Sequence, residues 1–408
     1  MRTLIISDLH LGSLTGSDVL SRPGLRATLL DALADIDRLV LLGDVIELRH
    51  GPVREALAAA RPFFEDLAGA MAGREIVIVA GNHDHALIEP WLARRSAEGQ
   101  PGALGAEQLL EPGLTSTGYE RIAGWARPAH TLVAYPGIWL RPDVYATHGH
   151  YLDCHLTVPT LERLSMGVMG RVLGRPAGTF ADVSDYEAMG SPVFAWRDAV
   201  ARDTHTGDAL NGMATISAWN ALRGGAGRGP GGDGPSQSAR ADLPGANGRR
   251  PGRRPGARAA RELRRRALVT AFPLVVAALN RAGLGPLRAE ISTDELRRAG
   301  LRAMGDVAER LALGDAHVVF GHTHRAGPLP EDDLQEWRAP TGARLINTGS
   351  WTYSGVFLTS TPGESPYWPG AGVLVEDSGP PVLIRLLQDR SRQEIRPGAG
   401  AESGRRLP

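Results

Sequence analysis

The chain has no lysine: all 45 of its basic side chains are arginine. The base bias of a GC-rich gene, which also favours Gly, Ala and Pro, explains this better than any function does. Cysteine is nearly absent too, with Cys154 the only one. An internal disulfide is therefore excluded, as is a metal site built on thiolates. A packing role is the usual fate of a single thiol. No stretch reaches the roughly eighteen apolar residues of a membrane span. No charged-then-apolar leader precedes the strand-like run that starts at Thr3, so a cytoplasmic address is expected. Net charge is missing as well: 45 acidic residues balance 45 basic ones. No global field draws the chain toward nucleic acid or a membrane. What remains is 42% hydrophobic over 408 residues, ample for a large core.

Against this background five short clusters of Asp, Asn and His stand out. They are Asp8-Leu9-His10, Gly43-Asp44, Gly81-Asn82-His83-Asp84, His148-Gly149-His150 and Gly321-His322-Thr323-His324. Each follows a short apolar run, such as Leu4-Ile5-Ile6, Leu39-Val40-Leu41-Leu42 or Ile76-Val77-Ile78-Val79. Unbroken apolar runs of this length suit strands buried on both faces. The polar residues then emerge at the carboxyl ends of the strands, where open α/β sheets bind ligands. Gly43, Gly81, Gly149 and Gly321 flank them and permit tight turns. Two divalent cations need about eight ligand atoms and a shared carboxylate, and this set supplies them. Its mixture of imidazole, carboxylate and amide oxygen suits Mn²⁺, an Fe/Mn pair or Zn²⁺ rather than Ca²⁺.

The order of the blocks resembles the calcineurin-like metallophosphoesterase superfamily, whose signature runs D-x-H, G-D, G-N-H-D/E, H, G-H-x-H. The resemblance implies an α/β fold, a four-layer sandwich of two mixed β-sheets flanked by helices. It implies that Asp8, His10 and His324 bind one metal, that Asp44 bridges, and that Asn82, His148 and His322 bind the second. It implies a metal-activated hydroxide as nucleophile and His83 as general acid, oriented by Asp84. Thr147 to Leu152, Gly321 to Arg325 and Asn347 to Trp351 look most like the branch of the UDP-2,3-diacylglucosamine pyrophosphatases. That branch carries a helical cap over a lipid-bearing substrate, although its fourth motif has Asp where His150 stands.

The expected organisation is a core of 1–154 and 305–387, an inserted helical cap of 155–304, and a flexible tail of 388–408. Helices are expected near 24–34, 54–71, 194–222, 261–282 and 293–313. Leu161, Leu164, Val168 and Val172 should share one helical face. Strands should return after the fifth cluster, including one at 355–358. The segment 223–260 is rich in Gly, Pro and Arg and lacks aromatics, so it reads as a disordered loop. Nine arginines lie between Arg249 and Arg266, without the interleaved aromatics that stack on bases. No nucleic-acid partner is expected. The apolar stretch that follows would allow peripheral membrane contact through the cap.

His150 could touch substrate phosphate or only hydrogen-bond beside His148. Arg325 could pair with phosphate or form a structural salt bridge. His85 reads as a supporting residue, and the remaining histidines as packing or surface groups. The expected function is hydrolysis of a phosphate ester or pyrophosphate on a small-molecule, lipid-linked or nucleotide-linked substrate. The alternatives are a phosphoprotein phosphatase or a cyclic-nucleotide phosphodiesterase. A nuclease and a non-catalytic metal-stabilised scaffold rank lower. Composition says nothing about oligomeric state.

Overall fold

In a computed structural model of the chain, residues 1–97, 104–172, 174, 180–203, 274, 276–288 and 292–397 are described. The expected loop of 223–260 and most of the expected helix 261–282 lie outside these residues.

Two mixed sheets face each other. Strands β1 (Thr3–Ile6), β2 (Arg38–Leu42), β3 (Glu75–Val79), β4 (Gln108–Leu110), β5 (His130–Tyr135), β6 (Gly137–Arg141), β7 (Val144–Thr147), β8 (His317–Phe320), β9 (Ala326–Gly327), β10 (Arg344–Thr348), β11 (Ala371–Val375) and β12 (Val382–Arg385) form them. The larger sheet runs β12-β11-β1-β2-β3-β5-β4 and the smaller β6-β7-β8-β10-β9. At the centre of the larger sheet β1, β2, β3 and β5 are parallel. In the smaller sheet β7, β8 and β10 are parallel.

The unbroken apolar runs have a direct physical cause. Side chains alternate across a strand. Ile5, Val40, Leu42, Val77, Val79 and Ala134 point into a core shared with Val144, Ala146, Val319 and Ile346 of the other sheet. Their neighbours Leu4, Ile6, Leu39, Leu41, Ile76 and Ile78 point the other way, into the core beneath the helices. Both faces are dry, so no polar alternation is left to see.

The described residues also form helices α1 (Pro23–Ala32), α2 (Val53–Ala70), α3 (Glu89–Ala97), α4 (Thr117–Trp125), α5 (Leu161–Val172), α6 (Val183–Asp203), α7 (Thr293–Arg310) and α8 (Arg392–Ile395). Ser116 caps α4 and Ser292 caps α7, each accepting from a backbone N–H of the first turn. Helix α7 crosses residues 304 and 305 without a break. It buries Ala303, Met304, Val307 and Ala308 and packs on β10 and on the 3-10 turn His150–Cys154.

Four expectations are corrected here. The second inserted helix begins at Val183, not near 194; its expected continuation over 204–222 lies outside the described residues. Helix α5 buries Arg163 and Met166, while Val168 and Val172 are exposed, so its apolar stripe is not its inward face. Residues 355–357 form a turn, closed by the Phe357 N–H on the Ser354 carbonyl. The ring of Phe357 stacks on Tyr367 there instead of joining a sheet. The tail is ordered over its first part, because Ser391 and Glu394 form a capping box and Ile395 is fully buried. Among the described residues no helix is long and apolar enough to cross a membrane.

Candidate metal centre

The five clusters converge where the strands of both sheets end. Asp8 and Asp44 follow β1 and β2, Asn82 follows β3, His148 directly follows β7, and His322 follows β8. The loops are stitched by backbone bonds. The Asp8 N–H donates to the Gly43 carbonyl (3.1 Å), the His10 N–H to that of Asp44 (2.9 Å), and the Gly321 N–H to that of His148 (3.0 Å).

Backbone strain marks the same residues. Asp8, His10, Asp44, His322 and His324 have φ between 46° and 66°, and among the described residues only Ala312 joins them as a non-glycine at positive φ. Such angles are costly for side-chain-bearing residues and persist where the surroundings over-determine them. They turn five side chains inward at one point.

Among the described residues three groups of side chains are close enough to hold a cation: Asp8, His10 and His324; His10, Asp44 and His83; and Asp44, His148 and His322. Asp44 lies between the outer two, with Oδ2 3.3 Å from His148 Nε2 and 3.8 Å from His10 Nε2. The donor set fits a pair of cations on two observations. Asp8 Oδ1 is buried without a hydrogen-bond donor, although His324 Nε2 stands 3.1 Å away. The Asn82 side-chain oxygen faces Asp44 Oδ2, His322 Nδ1 and His148 Nε2 at 3.1–3.2 Å. Rotating the amide satisfies both of its ends, the oxygen then accepting from Arg49 at 3.0 Å; a cation among these acceptors would satisfy the oxygen where it stands but leaves the NH₂ against the Arg49 guanidinium.

Charge compensation runs through the cluster. Burial alone would raise Asp8, but His324 and His148 bring it down to about 2. Asp44 is likewise held well below the carboxylate range despite burial, chiefly by His148. Burial opposes charge on His148, yet Asp44 lifts it to about 10. Cations would take the place of those protons, since ligands bind metal deprotonated.

Beyond the candidate ligands the structure adds partners that the residue pattern did not point to. Glu47, fully inside the fold, accepts from His10 Nδ1 and His83 Nδ1, both at 2.9 Å, through Oε2. Asp153 Oδ2 lies 3.0 Å from His322 Nε2. Both follow an expected ligand closely, in Asp44-Val45-Ile46-Glu47 and His148 to Asp153. A buried acid just past a metal cluster was the available signal. Asn347 Nδ2 donates to the Gly321 carbonyl and to Thr323 Oγ1, both at 2.9 Å, which braces the fifth cluster.

Asp84 does not orient His83. Its carboxylate turns away and accepts from the Gly81 N–H (2.7 Å) and the Val45 N–H (2.8 Å), tying the third loop to the second. Burial and then the Asp44 charge push it up to about 6. Glu47 is the residue that holds His83. Burial pushes His83 down to about 4, aided by Arg49 and opposed by Glu47.

The substrate contacts expected of His150 and Arg325 also change. His150 is buried behind His148, with ring centroids 5.5 Å apart, and does not line the cavity. The cause is Gly149 at φ 99°, which turns the chain inward into the 3-10 turn. Arg325 lines the cavity but is held by a bidentate pair with Asp332 (2.6 and 2.9 Å) and lies 5.4 Å from the centroid of the Trp337 ring. Cys154 is a buried thiol whose pKa is pushed up by burial, as packing requires.

The close approach of the loops depends on Gly81. A Cβ there would stand 2.2 Å from Asp44 Oδ1 and 2.4 Å from the Asp44 nitrogen. Gly81→Ala is therefore expected to lower metal retention at least about 10-fold, the scale for disturbed ligand support. Metal content after dialysis against a weak chelator checks it; wild-type retention would refute it.

A cavity of about 320 Å³ opens over the centre. His10, Asp44, Asn82, His83, His322 and His324 form its floor. Leu152, Leu156, Leu296, Leu301, Phe320 and Trp337 form an apolar wall. Leu156 and Glu162 come from the segment after the fourth cluster, and Leu296 to Leu301 from α7.

The family model for calcineurin-like phosphoesterase matches residues 1–168. His322 and His324 lie outside that match and reach the site through the fold. No curated protein matches the chain.

Proposed function

We propose that this chain, whose residues 1–168 match the family model for calcineurin-like phosphoesterase, hydrolyses a phosphate ester or pyrophosphate whose leaving or retained group is bulky and largely apolar. Members of that family hydrolyse phosphoric esters. The observation that carries the finer reading is the shape of the cavity: a polar, ligand-lined floor joined to a leucine- and tryptophan-lined wall. Such a pocket, apolar with a few convergent polar groups, orients a substrate by its reactive end and binds it by its body. A lipid-linked or nucleotide-linked phosphate fits this description better than a phosphoprotein loop or a small cyclic nucleotide. A non-catalytic scaffold has no need of a general acid facing a cavity.

In this reading Asp8, His10 and His324 would hold one cation, Asn82, His148 and His322 would hold another, and Asp44 would serve both. Manganese or an Fe/Mn pair suits the donor set, with zinc as the alternative. The chemistry that such cations would supply is neutralisation of the phosphate and activation of a water. The remaining steps belong to side chains. His83 is about a quarter exposed, lines the cavity and is held at Nδ1 by Glu47, so its Nε2 would be the atom that meets the leaving oxygen. The negative charge of a bound phosphate favours its imidazolium form, which can donate the proton that the departing oxygen needs. Leu156, Leu296 and Trp337 exclude water from the substrate's body.

The deciding experiment is turnover of metal-reconstituted protein on aryl phosphomonoester, aryl phosphodiester, cyclic nucleotides and nucleotide-diphospho-lipids. Preference for the amphiphilic members is expected; indifference to them would defeat the apolar-body reading. The wall offers a sharper check. Leu156→Ala and Leu296→Ala should each raise KM for an amphiphilic substrate about 10-fold, from the roughly 1.5–3 kcal/mol of a buried leucine. KM for a small aryl phosphate should stay within about twofold. An equal rise for both substrates would show that these leucines only support the fold.

A further inference from the structure

We propose that Glu187 is a positioning residue for the metal centre, joining from helix α6 the loop that carries Asn82 and His83 to the turn that carries His148. The proposal rests on the reading of Asn82, His148 and His322 as ligands of one cation. Glu187 sits on the inserted segment, yet its carboxylate is spent on the core. Its Oε2 lies 3.2 Å from His85 Nε2 and accepts from Ser191 Oγ at 2.8 Å. Its Oε1 accepts from Tyr135 Oη and Tyr151 Oη, both at 2.5 Å.

Each partner is the neighbour of a functional element. His85 opens the 3-10 turn directly after Asn82, His83 and Asp84. Tyr151 lies three residues past His148 in the turn His150–Cys154. Tyr135 ends β5, which pairs with β3, the strand leading to Asn82. One carboxylate therefore spans two ligand-bearing segments that belong to different sheets.

The same helix adds a second contact seven residues on, close to two turns along and on the same face. Phe194 packs on His85 (5.0 Å) and His150 (5.6 Å), and the Arg49 guanidinium lies over its ring at 5.5 Å. Tyr186 stacks on Tyr151 at 4.7 Å and 9°. A carboxylate this buried costs free energy unless its bonds are complete. The cost is met here by four donors at the back of the ligands. Helix α6 thus sets the separation of Asn82 and His148, whose side chains meet at 3.2 Å.

The test is metal retention of the full-length protein, read by elemental analysis after dialysis against chelators of graded strength, with manganese as the probe. Glu187→Ala should hold one of its two manganese ions about 10-fold more weakly, the low end of the range for groups that orient ligands. Its kcat on an aryl phosphate should fall by a similar factor with KM nearly unchanged. Glu187→Gln should recover part of both, because the amide oxygen still accepts from the two tyrosines. The double variant Tyr135→Phe, Tyr151→Phe keeps the carboxylate and the ring packing and should weaken the same ion, which covers the case in which Glu187→Ala fails to fold. Wild-type retention of both ions in that double variant, or in a folded Glu187→Ala, would overturn the proposal. A lower melting temperature with unchanged retention would also overturn it, since that is the signature of a merely structural tie. Retention is read without turnover, so failure of the phosphoesterase reading would show separately, as a wild type that binds two ions and hydrolyses nothing.

Discussion

Asp44→Asn is expected to abolish hydrolysis and to leave the protein holding one cation or none where the wild type holds two. Among the described residues Asp44 is the carboxylate within reach of both halves of the centre, with Oδ2 between His148 and His10. Its other oxygen accepts from the His83 N–H at 2.8 Å. Asparagine keeps the shape and can keep that last bond. It cannot supply the negative charge that two adjacent cations require, and its NH₂ would face His148 as a donor. Turnover should drop by more than about 10³-fold, as when a group acting as part of a unit is removed. Elemental analysis and steady-state rates measure the two effects together. A variant that still turns over, and still does so after exhaustive chelation, would sink the two-cation reading.

His83→Ala is expected to behave differently. Both cations should remain, because in the proposed assignment His83 is a ligand of neither, although it stands close enough to His10 and Asp44 to form a third group with them. The rate should fall by roughly 10²–10⁴-fold, the usual contribution of a general acid. The loss should shrink for substrates with good leaving groups, whose departing oxygen needs no proton. Glu47→Gln should reproduce part of this, because Glu47 holds His83 and His10 at once. It should also weaken metal retention through His10, which His83→Ala does not. Equal losses for good and poor leaving groups would assign His83 another role, and unchanged retention in Glu47→Gln would confine Glu47 to His83.

The contrast between Asp84 and Glu47 shows where reading by residue order stops. Asp84 is adjacent to His83 in sequence, but the turn that begins at Gly81 points its carboxylate at backbone donors. Glu47 is 36 residues from His83 and reaches it only because β2 and β3 lie side by side. Likewise, Val168 and Val172 have helical spacing in the sequence, yet α5 docks through Arg163 and Met166. Arg163 donates to the carbonyls of Leu156 and Gly285, so a polar residue is buried because backbone acceptors are there to meet it.

The sequence by itself determined the strands that carry the site, because a strand dry on both faces must be written as an unbroken apolar run. It also determined the candidate ligands, because few residue types can hold a divalent cation and they follow those runs in order. Only the tertiary structure decided which groups support them. Glu47 and Asp153 stand just past expected ligands, but the histidines they hold, His83 and His322, are reached only through the fold, as are the partners of Glu187. It bears on the two readings open for each of His150 and Arg325: a positive-φ glycine leads the first behind His148, and an ion pair with Asp332 holds the second at the cavity wall. It also made the cavity, since the wall from Leu152 to Trp337 exists only once α7 and the segment after His148 fold together over the ends of the strands. Covalent order sets which side chains are available, while their contacts depend on packing between segments far apart in that order.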